Sequence, residues 1–337
     1  MIDLRSDVCS PPTDEMWAAM RAAPLGWASV GEDPSVLRLE ALGASLLGKE
    51  AAVWVPTCGM ANLTALLALT RPGDAVVLPS DAHVLTSEGM WITEVAGLRP
   101  VRIGAAAGRC DPAEAEEALA ASGASALLLE NTHTRAGGTV MGVEACEALA
   151  GAARRHGARV HLDGARLANA AVALGVPLSA VAEPVDTVAL SLNKGLCAPM
   201  GTILAGAGAT ISEARDRLRR LGGATVHKAG IVAAAGIVAL ETMRERLIED
   251  HRRARALGDG LAGLPGLRIA PDPIETNIVL VDVSGTGLPA ETVAGRLAEH
   301  GVRVLVVDEH RARLVTHRMV GEAEVDRALA AFRTVAS

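Results

Sequence analysis

Short apolar runs alternate along most of this chain with longer amphipathic stretches rich in Ala and Arg, and that rhythm limits the folds open to it. Runs that read as strands are Ala51–Val55, Ala75–Leu78, Val101–Ile103, Ala124–Glu130, Arg159–Leu162, Thr187–Leu192 and Thr202–Ala205. Stretches such as Pro112–Ala121 and Val143–His156 read as helices between them. Strand followed by helix followed by strand points to parallel βαβ units rather than to a sandwich. Asp33-Pro34 and Asp111-Pro112 each set a capping carboxylate before a proline at the first helical turn.

The texture changes near residue 245. A charged helical stretch from Glu241 to Arg255 leads to strands Asn277–Val283, Val302–Val307 and Arg313–Val315, with helices Pro289–His300 and Gly321–Thr334. The expected organisation is an N-terminal segment and a large α/β domain over residues 1–245 and a smaller α/β domain over 246–337, joined by a long helix. A length of 337 residues suits two domains of about 150 each. With one Phe and no Tyr, the core must be built from Ala, Val, Leu and Ile, and no mechanism can use a phenol.

A net charge of −7 without a basic run argues against nucleic acid as partner. No run of about 18 uncharged apolar residues is present, so no membrane span is expected. The first residues lack the form of a signal peptide. Five scattered cysteines without a CxxC pair indicate neither a disulfide framework nor a metal site. The expectation is a soluble, cytoplasmic protein.

Candidate chemistry collects where strand-like runs end. Only three lysines stand against 29 arginines, and one of them, Lys194, follows the apolar run Val185–Leu190 in Ser191-Leu192-Asn193-Lys194-Gly195-Leu196. Asp163, in His161-Leu162-Asp163-Gly164-Ala165-Arg166, ends another run. An amine and a carboxylate at neighbouring strand ends are what pyridoxal phosphate (PLP) needs: the amine forms a Schiff base, and the carboxylate keeps the pyridine nitrogen protonated. The arginine excess also reflects a general bias of composition, and a lysine after a strand is often merely solvated. Pro56-Thr57-Cys58-Gly59-Met60 opens a helix after Ala51–Val55. It reads as an ordinary strand–helix turn or as N–H groups of Cys58 and Gly59 offered to a phosphate. His83 is either a surface histidine or the flat side chain that lies over a pyridine ring. His133, before Gly137-Gly138, could move protons near neutral pH.

Eight segments then carry a resemblance. They are Asp3–Asp7, Gly31–Pro34, Met60–Asn62, Glu130–His133, Arg135–Val140, His161–Arg166, Lys194–Leu196 and Arg313–His317, and they span nearly the whole chain. Together they resemble the threonine aldolase family, within the β-eliminating-lyase group of fold-type-I PLP-dependent enzymes. The resemblance implies an aspartate-aminotransferase-like large domain and a homo-oligomer, dimer or tetramer, with interfacial sites. It implies Lys194 as the aldimine lysine, Asp163 on the pyridine nitrogen, His83 stacked on the ring, and Cys58 and Gly59 on the phosphate. Ser6, Arg166 and Arg313 would hold the substrate carboxylate, Arg166 also lying against the cofactor, with His133 near the scissile group. The implied reaction is retro-aldol Cα–Cβ cleavage of an L-β-hydroxy-α-amino acid, of threonine or allo-threonine type, through a quinonoid to glycine and an aldehyde.

Four segments depart from the family pattern: Asp7–Thr13, Gly26–Val30, Asn193–Cys197 and Thr225–Lys228. Val30 stands where a Tyr is usual, and His227 where an Arg is. Trp27 reads as pocket rim, or as core or interface filler. The altered rim leaves a transaldolase, a racemase or a β-eliminating lyase as alternatives, and a non-catalytic PLP-binding protein as a remote one.

Overall fold

A computed structural model describes residues 1–88, 91–271 and 273–336. Among them, a seven-stranded sheet runs in the order Ala51–Val55, Thr202–Gly206, Thr187–Ser191, Arg159–Gly164, Ala126–Glu130, Ala75–Pro79, Arg99–Ile103. Thr202–Gly206 is antiparallel to both neighbours, and the remaining pairings are parallel. Every residue of Ala75–Pro79, Ala126–Glu130, Thr187–Ser191 and Thr202–Gly206 is buried. Such strands read as continuous apolar runs because helices cover both faces. Where a helix follows, the caps act as expected: Asp33 accepts from the N–H groups of Ser35 and Val36, and Asp111 from that of Ala113.

The Ala- and Gly-rich helix Gly230–Thr242 packs against Asp14–Ala22 and Pro34–Leu47. A Cβ on Gly236 would lie 2.9 Å from Leu39 and 3.0 Å from Leu192, so close helix packing requires glycine there. This helix ends at Thr242, and another runs Leu247–Ala262. The single helix expected over Glu241–Arg255 is therefore broken. Gly230–Thr242 buries its residues in the core of the large sheet, whereas Ala254, Leu257 and Leu261 belong to a second core. One straight rod cannot present a stripe to both.

That second core lies against an antiparallel sheet ordered Leu305–Val306, Arg311–Val315, Ile278–Asp282, Arg268–Ala270. The run expected as one strand, Val302–Val307, is two, because Val302–Arg303 pairs in parallel with Ile2–Asp3 instead. The N-terminal segment thus buries Ile2 and Leu4 in the second core. From there the chain returns to the large sheet through Ser6 and Asp7, and this crossing passes the candidate site.

Candidate active site

Parallel register brings the chemistry to one edge. Glu130 pairs with Asp163, and Asp163 with Ala189, so these strands end together with Lys194 just beyond Ser191. The carboxylate ends of such strands, at the C-terminal edge of an open α/β sheet, are where ligands bind.

Asp163 is buried. Its Oδ2 accepts from Asn62 Nδ2 at 2.9 Å, and its Oδ1 from the Ala165 N–H at 3.1 Å, with the Cys58 thiol 3.7 Å away. Burial, reinforced by the negative charge of Asp163, pushes the Cys58 thiol well up, so it stays neutral. Cys58 starts the helix Cys58–Leu69, whose cap Thr57 accepts from the Met60 N–H. The N–H groups of Cys58 and Gly59, the first two of the helix, point onward without an intrahelical acceptor. A Cβ on Gly59 would lie 3.1 Å from the Glu88 carboxyl, which faces this cradle.

Lys194 sits in a tight turn: its carbonyl accepts from the Cys197 N–H at 2.8 Å, and Cys197 takes a left-handed φ of 66°. Among the described residues, no hydrogen bond engages its Nζ. Its charge acts on Asp7, Cys58, His83 and Glu88.

Arg166 is buried and gripped by Asp7: Nε donates to Oδ2 at 2.8 Å and Nη2 to Oδ1 at 2.7 Å, while Nη1 donates to Thr134 Oγ1 at 3.2 Å. A guanidinium has five N–H groups. Three are thus engaged, and one on each terminal nitrogen remains for a ligand. Burial would push the Asp7 carboxyl up, but the Arg166 fork outweighs it and holds Asp7 well below the usual carboxylate range. Ser6 caps the following turn, its Oγ accepting from the Val8 N–H. Arg313 Nη2 donates to the Arg5 carbonyl at 3.2 Å, and its Nε is buried without a partner. Burial and the neighbouring Arg166 push its pKa down to about 10.

His83 opens a short helix, and its backbone N–H donates to Glu130 Oε2 at 2.9 Å. The second oxygen of Glu130 accepts from the Thr134 N–H, also at 2.9 Å. Burial lowers the His83 pKa despite Asp163 and Glu130 nearby, so its imidazole is neutral at neutral pH. The ring faces a cleft shared with Thr134, Arg135, Leu280, Val307 and Arg313.

His133 stands elsewhere. Its Nδ1 accepts from the Ala136 N–H at 3.3 Å, and Nε2 lies 3.3 Å from Asp81 Oδ1. A Cβ on Gly108 would touch the His133 side chain at 2.7 Å, so the 105–109 loop covers it. His133 is thus held by Ala136 and Asp81 beneath that loop.

Of the other expected residues, Cys58 and Gly59 open a helix at Asp163, Ser6 adjoins the Asp7 that grips Arg166, His83 and Arg313 line one cleft, and Lys194 lies just beyond the same sheet edge. Sequence reasoning passed over Asp7, Asn62, Glu88 and Glu130 as site residues. Glu88 is held by Trp91 Nε1 at 3.2 Å, and burial, together with Asp163, raises its pKa to about 7. His161 was legible in principle: it and Asp163 lie two apart on one strand, hence on the same face.

Two departures from the family pattern, 198 positions apart, meet in space. Ser29 Oγ lies 2.9 Å from His227 Nδ1, the Ala28 N–H donates to the His227 carbonyl, and Trp27 meets the imidazole edge-on with ring centroids 6.5 Å apart. Trp27 is 57% exposed, which excludes it as core filler.

The family model that matches residues 3–285 is described as Beta-eliminating lyase. The chain is 34% identical over 342 residues to Low-specificity L-threonine aldolase 1 of Arabidopsis thaliana, covering 98% of this chain and 95% of that protein. It is 34% identical over 343 residues to the Low specificity L-threonine aldolase of Escherichia coli (strain K12), covering 99% and 98%. A solved structure of Leishmania major threonine aldolase superposes with a TM-score of 0.86 at 21% identity over 100% of both chains, a likeness of fold.

Proposed function

The chain belongs to the beta-eliminating lyase family, and from that premise we propose that it cleaves L-β-hydroxy-α-amino acids of threonine or allo-threonine type into glycine and an aldehyde. It is a PLP-dependent lyase with the fold-type-I α/β architecture.

The donor set fits the cofactor. An unbonded lysine amine, a buried carboxylate, two outward N–H groups beside the Gly59 cradle and a flat imidazole are the groups that pyridoxal phosphate calls for. Lys194 is the residue for covalent attachment, Asp163 for the pyridine nitrogen, Cys58 and Gly59 for the phosphate, and His83 for the ring face. When bound, the cofactor supplies an electron-withdrawing ring that stabilises the negative charge left on Cα after bond cleavage.

The substrate carboxylate finds the two spare N–H groups of Arg166, the unpaired Nε of Arg313 and the Ser6 hydroxyl. Arg166 cannot swing to follow it, because Asp7 and Thr134 hold three of its donors. A carboxylate gripped this way fixes rotation about Cα, and rotation decides which bond breaks. His83, neutral and facing the cleft, is the group to take the proton of the β-hydroxyl. His133 acts by holding the loop over Ala136 and Asp81. The single observation that carries this reading is the parallel register that ends Glu130, Asp163 and Ala189 together, with Lys194 just beyond Ser191 at the same sheet edge.

We read the enzyme further as a cytoplasmic homo-oligomer, dimer or tetramer. The exposed apolar side chains of Trp17, Leu25, Trp27, Val30 and Leu37 support association, and five free cysteines support a reducing compartment. Among the described residues, no helix is long and apolar enough to cross a membrane.

The test is glycine release from L-threonine and from L-allo-threonine, separately, with Lys194→Ala as control. Glycine from either, lost in the variant, sustains the reading. A visible cofactor band without glycine would redirect the search to transaldol, racemase and elimination assays, with the rim at Trp27, Val30 and His227 as the cause.

A further inference from the structure

Behind Asp163 runs a line of side chains that the reaction above does not use. Asn62 Nδ2 donates to Asp163 Oδ2 at 2.9 Å, Asn62 Oδ1 lies 3.0 Å from His161 Nε2, and His161 Nδ1 lies 2.9 Å from Thr187 Oγ1. Asn62, His161 and Thr187 are each 0% exposed. They join helix Cys58–Leu69 to strands Arg159–Gly164 and Thr187–Ser191 within a largely apolar interior. Three polar side chains so deeply buried are costly unless each is paired.

The direction of the line follows from one end. An ionised carboxylate only accepts, so Asn62 must turn its NH₂ to Asp163 and its oxygen to His161. His161 must then carry its proton on Nε2, which leaves Nδ1 to accept from the Thr187 hydroxyl. Every member has one role, and none can reverse without breaking a bond. Burial also pushes the His161 pKa down to about 4, so the ring stays neutral and cannot take a proton from its neighbours.

We propose that Asn62 is a positioning residue which, braced by His161 and Thr187, holds Asp163 aimed at the pyridine nitrogen. This rests on the reading of Asp163 given above. The Ala165 N–H engages only Oδ1, so Asn62 is the partner that sets the second oxygen. Without the Thr187 hydroxyl, His161 is free to change tautomer. His161 Nε2 would then no longer donate to Asn62 Oδ1, and the amide that faces Asp163 would lose its brace.

The experiment is done on holoenzyme reconstituted with ¹⁵N-labelled pyridoxal phosphate. The nitrogen resonance and the cofactor dissociation constant are measured for Asn62→Leu, Thr187→Val, Thr187→Ser and Asp163→Asn. Expected for Asn62→Leu is a shift toward unprotonated nitrogen, with cofactor affinity weakened about tenfold to a hundredfold. Thr187→Val, nearly the same shape, should move both in the same direction by less, and Thr187→Ser should restore them. If Asp163→Asn shifts the resonance while Asn62→Leu and Thr187→Val leave it at the wild-type position, the relay is overturned and the role of Asp163 stands. If Asp163→Asn itself has no effect, the reading of Asp163 fails and the relay falls with it. Should Asn62→Leu not fold, the Thr187 pair decides alone.

Discussion

Asp7 and Arg166, separated by 159 positions, form a two-pronged ion pair of 2.7 and 2.8 Å with both side chains buried. The pair joins the segment that leaves the second core to the strand edge that carries Asp163. It also determines which guanidinium N–H groups stay free for a ligand. Asn277, from the smaller sheet, adds a donor to Asp7 at 3.3 Å.

Replacing one member of a buried pair leaves the other charge uncompensated, which costs about 3–5 kcal/mol. Asp7→Asn should therefore lower unfolding stability by that order in chemical denaturation. It should also raise KM, because Arg166 is released from its geometry. Unchanged stability would mean that solvent reaches the pair.

His83 and His133 should separate by phenotype. His83→Phe keeps a flat ring but no proton acceptor, so kcat should fall about 10²–10⁴-fold while the cofactor still binds. His133→Asn should chiefly affect stability, since its ring holds Ala136 and Asp81. A kcat loss in His133→Asn as large as that in His83→Phe, at unchanged stability, would reverse the assignment.

Arg313 has most of its guanidinium free, and a lysine offers charge without the planar fork. Arg313→Lys should weaken kcat/KM for L-threonine about 10–100-fold with the cofactor absorption unaltered. An effect below threefold would place the substrate carboxylate elsewhere.

Two sets of buried groups act oppositely on stability between about pH 4 and 7. His161 and His251 are held neutral down to about pH 4 by burial, whereas unfolded histidine ionises near 6.5. The unfolded chain takes up protons first, so stability present above 6.5 is lost as pH falls toward 4. Glu88 is raised from 4.5 to about 7, so the folded chain keeps a proton that the unfolded chain has released. Its contribution is present below 4.5 and is lost as pH rises to about 7. Wild-type protein should show a flattened profile, and Glu88→Gln should expose the rise with pH from the histidines alone. Superposable denaturation profiles for the two proteins would remove Glu88 from the account.

Local pattern made much of this protein legible. Continuous apolar runs mark strands buried on both faces, Asp-Pro pairs mark helix starts, and Lys194, Asp163 and Cys58-Gly59 follow runs whose ends become the sheet edge. All of these depend on neighbours within a few residues, which a linear sequence displays. The break between Gly230–Thr242 and Leu247–Ala262, and the capture of Ile2–Asp3 by Val302–Arg303, depend on which core each segment meets. The same holds for side-chain partners. Asp7 finding Arg166, Asn62 finding Asp163, Ser29 finding His227 and His133 turning to Asp81 are hydrogen-bond-range events between residues brought together by strand register and crossover. The residue types that could do the chemistry were a property of the sequence. Which nitrogens and oxygens remain free to do it was decided by the tertiary structure, because a buried donor is available only when no nearby acceptor has already taken it.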